Sequence, residues 1–239
     1  MIEFEGIVIR TTPFREHDLV VNVLSNDKMR SFLARGALKM DSKNASSVNN
    51  YAHSRFAITK GKDGFSLRSG ELLDSYEHIK EDLSRLAVLD FIGEITNKLV
   101  QSDDAPYLYG YLEKSLQLLN NGFNPYTIAI IYFAKVLNVA GYGLEVDSCV
   151  FCGQKSQIVA INYMDGGFIC ENCFDSLNHA KSSPRKLKIL RYIFKVDKER
   201  FGQVSFEKEE CLELLNELAS FCHEVTQVEI KSLSLIRKA

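Results

Sequence analysis

The chain has 239 residues, 46% of them hydrophobic, with 29 Lys and Arg against 31 Asp and Glu for a formal charge of −2; that length can bury one large core or two smaller ones in about one to three domains. The start Met1-Ile2-Glu3-Phe4-Glu5-Gly6 lacks the basic segment and apolar run of a signal peptide, and no apolar stretch reaches the roughly 18 to 20 residues of a membrane span. Six cysteines, four of them in metal spacing, suit a reducing compartment better than a disulfide scaffold, so a soluble, cytoplasmic protein with no membrane partner is expected.

Residues 1–80 read as short strands. Ile2, Phe4, Gly6 and Val8 alternate with Glu3, Glu5, Ile7 and Ile9; Leu19–Leu24 is a β-branched run; Ser31–Ala37, Arg55–Thr59, Phe65–Arg68 and Leu72–Tyr76 follow, with turns between. Strands of this length and spacing predict a small β-barrel. The polar, aperiodic stretch Lys39–Asn50 reads as a mobile loop.

From Glu81 the period changes to that of helices. Leu83, Leu86, Ala87, Ile92, Ile95 and Leu99 form one apolar face, ending near Gln101. Asp103, Asp104 and Pro106 open a second helix, with Leu108, Leu112, Leu116 and Leu119 on one side until Gly122. Pro125 opens a third, through Val139 to Gly141; its run Ile128–Ala134 is apolar nearly all round and is therefore expected at the centre of the fold. Helical spacing returns after Pro184 and again from Leu212 to Ile236, where Cys211 and Cys222 fall on one face as small core side chains. The architecture predicted is α+β and multidomain: a barrel at 1–80, a helical domain at 81–145 and 179–239, and a cysteine-bearing insertion at 146–178.

That insertion carries Cys149-Val150-Phe151-Cys152 and Cys170-Glu171-Asn172-Cys173, separated by 17 residues. Each pair can wrap two thiolates round one edge of a tetrahedron, so Cys149, Cys152, Cys170 and Cys173 are expected to hold one structural zinc ion. Ile158–Tyr163, the turn at Met164-Asp165-Gly166-Gly167, and Phe168-Ile169 predict a hairpin closed by the metal. Four protein ligands leave no position for a reactive water, which argues against hydrolysis. His179, the only histidine nearby, reads as a surface or capping residue.

Charge is unevenly placed. Residues 28–70 hold nine Lys and Arg against Asp41 and Asp63, and residues 181–200 hold eight against Asp197 and Glu199. The first island, Arg30, Arg35, Lys39, Lys43, Arg55, Lys60, Lys62 and Arg68, is interleaved with Phe32, Tyr51, Phe56 and Phe65 on the expected barrel. Cations that track phosphates beside aromatic faces are what a single-stranded nucleic-acid platform requires. Phe32 and Phe56, on strands, are also suited to filling the barrel, and the second island has the pattern of a solvated helix face.

Taken in order, Gly6-Ile7-Val8-Ile9-Arg10, Glu16-His17-Asp18-Leu19-Val20, Ala34-Arg35-Gly36-Ala37, Glu71-Leu72, Gly141-Tyr142-Gly143 and the two cysteine pairs with Gly153 and Gly166-Gly167-Phe168-Ile169 resemble the bacterial RecO family over about residues 1 to 175. The resemblance implies an amino-terminal OB-fold, a helical domain and a zinc element. It further implies a nucleoid-associated recombination mediator without catalytic turnover. Such proteins bind single- and double-stranded DNA, anneal strands coated by single-stranded DNA-binding protein, and with RecR promote RecA loading at gaps, with RecF and RecA as indirect partners. The coat protein's acidic carboxyl-terminal tail would dock on the helical domain. After Ala37, Leu38 and Asp41 interrupt the basic run that family members commonly carry, leaving Lys39 and Lys43.

Two other classes stand against this. A sirtuin-type deacylase would need a Gly-rich nucleotide loop, and a zinc deaminase would need a His or Cys followed by a catalytic Glu ahead of a Pro-Cys-x-x-Cys; neither pattern is in the sequence. A zinc-ribbon interaction scaffold without DNA binding is separated from the mediator by salt-dependent binding of an oligonucleotide.

Overall fold

Five strands, β1 (Ile2–Phe14), β2 (Asp18–Ser25), β3 (Met29–Ala34), β4 (His53–Gly61) and β5 (Gly64–Asp74), close into a barrel in the order β1-β2-β3-β5-β4 in a computed structural model that describes residues 1–62 and 64–239. Neighbours pair antiparallel except β3 and β5, which meet in parallel at Leu33 and Ser66. This is an OB-like barrel, its sheet closed so that no long edge is left open.

The two-residue period of β1 decides how the barrel joins the rest. Val8 points inward to Val21, Val23, Phe32, Phe56 and Ile58. Ile7 and Ile9 point outward and, with Leu24, belong to the core of the helices. Burying these three outward side chains contributes about 1.5 to 3 kcal/mol each. The barrel is therefore docked on the helices through a shared apolar layer.

Helices α1 (Leu83–Leu99), α2 (Ala105–Asn120) and α3 (Pro125–Val139) follow. Every residue of α3 from Tyr126 to Leu137 is buried, as its all-round apolar sequence requires, and α1, α2 and two later helices, α4 (Pro184–Lys195) and α5 (Lys208–Thr226), pack around it. Caps fix the starts: Asp82 accepts from the Arg85 N–H, Asn124 from Thr127, and Ser183 from Lys186. The hairpin of β6 (Ile158–Asn162) and β7 (Gly167–Cys170) comes between α3 and α4 (Pro184–Lys195), and its Ile161 and Phe168 join the main core. Gly167, at φ +153°, lets β7 run against the Glu145 backbone where any Cβ would collide.

Three expectations change. Phe65–Arg68 and Leu72–Tyr76 are not two strands; Ser69 and Gly70 stay extended against Ala57 and Phe56, making one strand to Asp74. Leu212–Ile236 is not one helix, because Gln227 takes a left-handed φ of 60° and separates α5 (Lys208–Thr226) from α6 (Leu233–Ile236). The returning chain is held by Glu94 of α1, whose carboxylate accepts from the Lys231 N–H at 3.1 Å, the Ser232 N–H at 2.7 Å and the Ser232 hydroxyl. Nor is Lys39–Asn50 a loose loop. Its second half lies over the barrel, with Ser47 and Val48 buried, the Gly70 N–H donating to Asn44 Oδ1 at 3.0 Å, and the Ser54 hydroxyl donating to the Ser47 carbonyl at 2.9 Å. Among the described residues no helix is long and apolar enough to cross a membrane.

Candidate metal centre and nucleic-acid surface

The two cysteine pairs, far apart in sequence, meet because β6 and β7 pair and bring the chain back on itself. The Sγ atoms of Cys149, Cys152, Cys170 and Cys173 all lie within 4.8 Å of one another, with Cys152 and Cys170 3.6 Å apart. Four sulfurs at about 2.3 Å from a tetrahedral ion would stand about 3.8 Å apart, so these thiols could hold one metal ion. Their electrostatics agree. Burial opposes ionisation of Cys149, but N–H groups of Cys170, Cys152 and Phe151 outweigh it and bring the thiol down to about 6. Hydrogen bonding with Cys152, then burial and the other thiols, pushes Cys173 up to about 12. Ionising all four so close together calls for a cation among them.

His179 is the cap of this centre. Its Nδ1 accepts from the Asp175 N–H at 3.0 Å, so the proton sits on Nε2, which lies 3.1 Å from Asp165 Oδ2. Its side chain is 7% exposed and lies between Phe151 and Phe174, with ring centroids 6.0 and 5.9 Å away. Both ring nitrogens are engaged with the hairpin turn and the segment after Cys173, so neither is available as a ligand. Tyr163 ties the hairpin to α5 by donating to Glu217 at 2.6 Å, a carboxylate also held by Lys186.

The first basic island divides by neighbour. Arg30 is a structural residue, with a side chain 10% exposed, its guanidinium 4.3 Å from the Phe4 ring centre, and hydrogen bonds to Asp27 Oδ2 at 2.6 Å and Ser25 Oγ at 2.6 Å. Arg55 is exposed but lies directly opposite Glu5 on β1 and Glu71 on β5, at 2.7 and 2.8 Å, so two carboxylates offset its charge. Phe32 and Phe56 are interior, packed with Phe4. Tyr51, which the sequence places among the stacking candidates, lies on Gly93 of α1 with its hydroxyl on Asp90 at 3.2 Å.

The remaining cations are exposed. Arg35 and Lys62 line a groove of about 450 Å³ with Phe14, Arg15, Val20 and Phe65, between the β1–β2 turn and the β4–β5 turn. Lys39, Lys43, Lys60 and Arg68 are exposed, and Arg68 donates to Thr59 Oγ1 at 3.0 Å. No ion pair joins Arg15, Arg35, Lys39, Lys43, Lys60, Lys62 or Arg68 to a carboxylate among the described residues. Phe14 and Arg15 carry no sequence signal of their own and become candidates only through the structure. Phe14 is 42% exposed at the end of a strand, and Arg15, at φ 57°, stacks on it with its guanidinium 5.2 Å from the ring centre.

The second island is half paired: among the described residues Lys181, Lys188, Lys198 and Arg200 have no ion pair, and the other four cations do. Arg185 pairs with Glu210 at 2.8 Å, Lys186 with Glu213 and Glu217, and Arg191 and Lys195 both with Asp147 at 3.0 and 2.7 Å. Near it, a cleft of about 450 Å³ between α2, α3 and α4 holds Tyr107, Tyr111 and the buried Lys135. Burial brings the Lys135 ammonium down to about 8, and it donates to the Phe194 carbonyl at 2.8 Å.

Comparison with known proteins bears on the whole chain. The description "Recombination protein O N terminal" matches residues 1–76, and "Recombination protein O C terminal" matches residues 80–234. Relatives named DNA repair protein RecO include that of Bacillus cytotoxicus, 32% identical over 237 residues that cover 95% of this chain and 93% of that one. The Bacillus pumilus protein is 32% identical over 97% of this chain and 92% of its own, and that of Halalkalibacterium halodurans 28% over 95% and 91%. Barrel, helices and cysteine cluster all fall inside these matches: the chain belongs to the RecO family of DNA repair proteins.

Proposed function

We propose that this member of a recombinational repair family is a non-catalytic mediator that binds single- and double-stranded DNA on its barrel, anneals strands coated by single-stranded DNA-binding protein and, with RecR, promotes RecA loading at gaps. The observation that carries the reading is the groove between the β1–β2 and β4–β5 turns, where Arg15, Arg35 and Lys62 stand beside Phe14 and Phe65. In OB-folds this end of the barrel, flanked by those two loops, takes oligonucleotides. Cations without carboxylate partners release counterions from phosphates, and ring faces accept bases. Lys39, Lys43, Lys60 and Arg68 extend the phosphate track; Arg30 and Arg55 do not take part, because their charges are already matched within the barrel. The four thiols hold one zinc ion, which fastens the hairpin to the helices and, with its ligand set closed, activates no water.

The coat protein's acidic tail has a matching cleft. Lys135 keeps N–H donors beyond its bond to Phe194, and Tyr107, 74% exposed, supplies an apolar wall. The carboxylates of an acidic tail meet the Lys135 donors. Substitution Lys135→Met is expected to weaken such a peptide while leaving oligonucleotide affinity unchanged.

Titrating a labelled single-stranded oligonucleotide at low and moderate salt tests the central reading. Tight binding that falls steeply with salt is expected, and Arg35→Ala with Lys39→Ala and Lys62→Ala is expected to flatten the salt slope by up to about one unit per lost phosphate contact. Absence of binding at low salt, with strands coated by the single-stranded DNA-binding protein left unannealed, would instead favour a zinc-ribbon interaction scaffold.

A further inference from the structure

The turn that leaves β3 carries two side chains that the barrel, the helices and the groove do not use. Met40 is fully exposed, at 107% of its reference area, and Leu38 is 50% exposed. Apolar side chains standing in water on a flexible loop would be unremarked, but this turn is fixed at its base. The Gly36 N–H donates to Asp18 Oδ1 at 2.8 Å, the Leu38 N–H to the His17 carbonyl at 3.0 Å, the Lys39 N–H to the Gly36 carbonyl at 3.1 Å and the Ser42 N–H to the Lys39 carbonyl at 3.1 Å. Ala37 between them is buried, at 4% exposure. The turn is thus tied to the β1–β2 loop, one wall of the groove, and projects Leu38 and Met40 from a braced base. Around them stand Arg35, Lys39 and Lys43, with Asp41 the one carboxylate on the turn.

We infer that Leu38 and Met40 form a wedge that inserts between bases at the edge of a duplex when DNA lies along the barrel; this rests on the reading of the barrel as the DNA-binding surface. The charge around the wedge selects the occupant, since a protein partner with an apolar socket would have to discharge three cations, whereas a nucleic acid supplies phosphates on both sides of the inserted side chain. The side-chain chemistry selects the position. Leu and Met have no ring face on which a free base can stack, so they add little to a bare single strand. They are suited to the gap opened between base steps, where apolar wedges unstack and kink a duplex. At a junction this favours the boundary between paired and unpaired strands, which is the point where annealing advances.

The test places 2-aminopurine, which brightens on unstacking, either at a single-strand/duplex junction or well inside the duplex, and compares the full chain with Leu38→Ser/Met40→Ser and with Met40→Leu. Expected are brightening at the junction with the wild-type chain, its loss in the double Ser variant together with an annealing rate lower by about five- to tenfold, unchanged affinity for bare single strand, and a signal retained by Met40→Leu. Equal junction signals and annealing rates for wild type and the double Ser variant, with DNA binding intact, would overturn the wedge alone. Failure of the wild-type chain to bind DNA at low salt would overturn both the wedge and the reading on which it rests. Both side chains are exposed, so thermal melts of the variants should coincide with wild type.

Discussion

The guanidinium of Arg30 lies 4.3 Å from the centre of the Phe4 ring, and that placement leaves its side chain only 10% exposed. Asp27 closes the fork from the other side, and Arg30 holds the Asp27 carboxyl well below the usual carboxylate range. Arg30 thereby lies over Phe4, which packs in turn with Phe32 and Phe56.

Arg30→Ala is accordingly expected to lower stability by about 1 to 2 kcal/mol, from the lost cation–π contact and charge-assisted hydrogen bonds. Its single-strand affinity should stay within about twofold of wild type. Arg35→Ala should do the reverse, with an unchanged melt and a flatter salt slope. Thermal melts paired with oligonucleotide titration separate the two.

Removing the metal acts where the hairpin meets the helices. Cys170→Ser, or a strong chelator, is expected to lower the zinc content from one ion per chain and to open the hairpin, because structural zinc binding free energy is folding free energy. Ile161 and Phe168 belong to the helical core and Tyr163 is anchored on Glu217 of α5, so protection from hydrogen exchange should fall in the hairpin and then in α5. The separate interior of the barrel, with Val21, Phe32 and Phe56, should keep its protection.

His179→Ala distinguishes a cap from a ligand. The variant should still bind one zinc ion per chain, measured by elemental analysis, yet lose it faster to a chelator. The lost hydrogen bonds and aromatic packing should cost about 1 to 2 kcal/mol. A fall in zinc stoichiometry would make His179 a ligand instead.

The carboxyl-terminal segment should be released by acid. Burial alone would raise the pKa of Glu94, but hydrogen bonds from Lys98, Ser232 and Lys231 outweigh burial and bring it down to about 2. A carboxylate depressed in the folded state contributes stability that is present above its unfolded value, near 4.5, and is lost as pH falls from there through about 2. Hydrogen exchange at residues 227–239, taken relative to the unstructured chain at each pH, should therefore quicken between pH 4.5 and 2 in wild type. In Glu94→Ala it should be fast throughout, at a cost of about 2 kcal/mol at neutral pH.

Much of the fold is legible residue by residue. The alternation about Val8, the helix starts near Glu81, Pro125 and Pro184, and the all-apolar run of α3 are local signals, and each appears in the structure at its place. The cysteine quartet is legible for the same reason, since ligand spacing within each pair is local and the hairpin between supplies the return. Less was legible where the chain depends on a distant partner. Ser47 covers β5 only because Gly70 leaves room for it, and the break at Gln227 follows from the hold of Glu94 on Ser232, far away in sequence.

The amino-acid sequence by itself determined that this is an OB-like barrel joined to helices with a four-cysteine centre, and that its positive charge is gathered in two islands. Only the tertiary structure decided which of those charges are free. Arg30 meets Asp27 and Phe4, Arg55 meets Glu5 and Glu71, and Arg185, Lys186, Arg191 and Lys195 of α4 meet α5 and Asp147, while Lys188, Arg15, Arg35 and Lys39 meet no carboxylate among the described residues. A formal charge is a property of one residue, but the field that a phosphate feels is set by the neighbours that folding places beside it, and strand register and helix packing choose those neighbours.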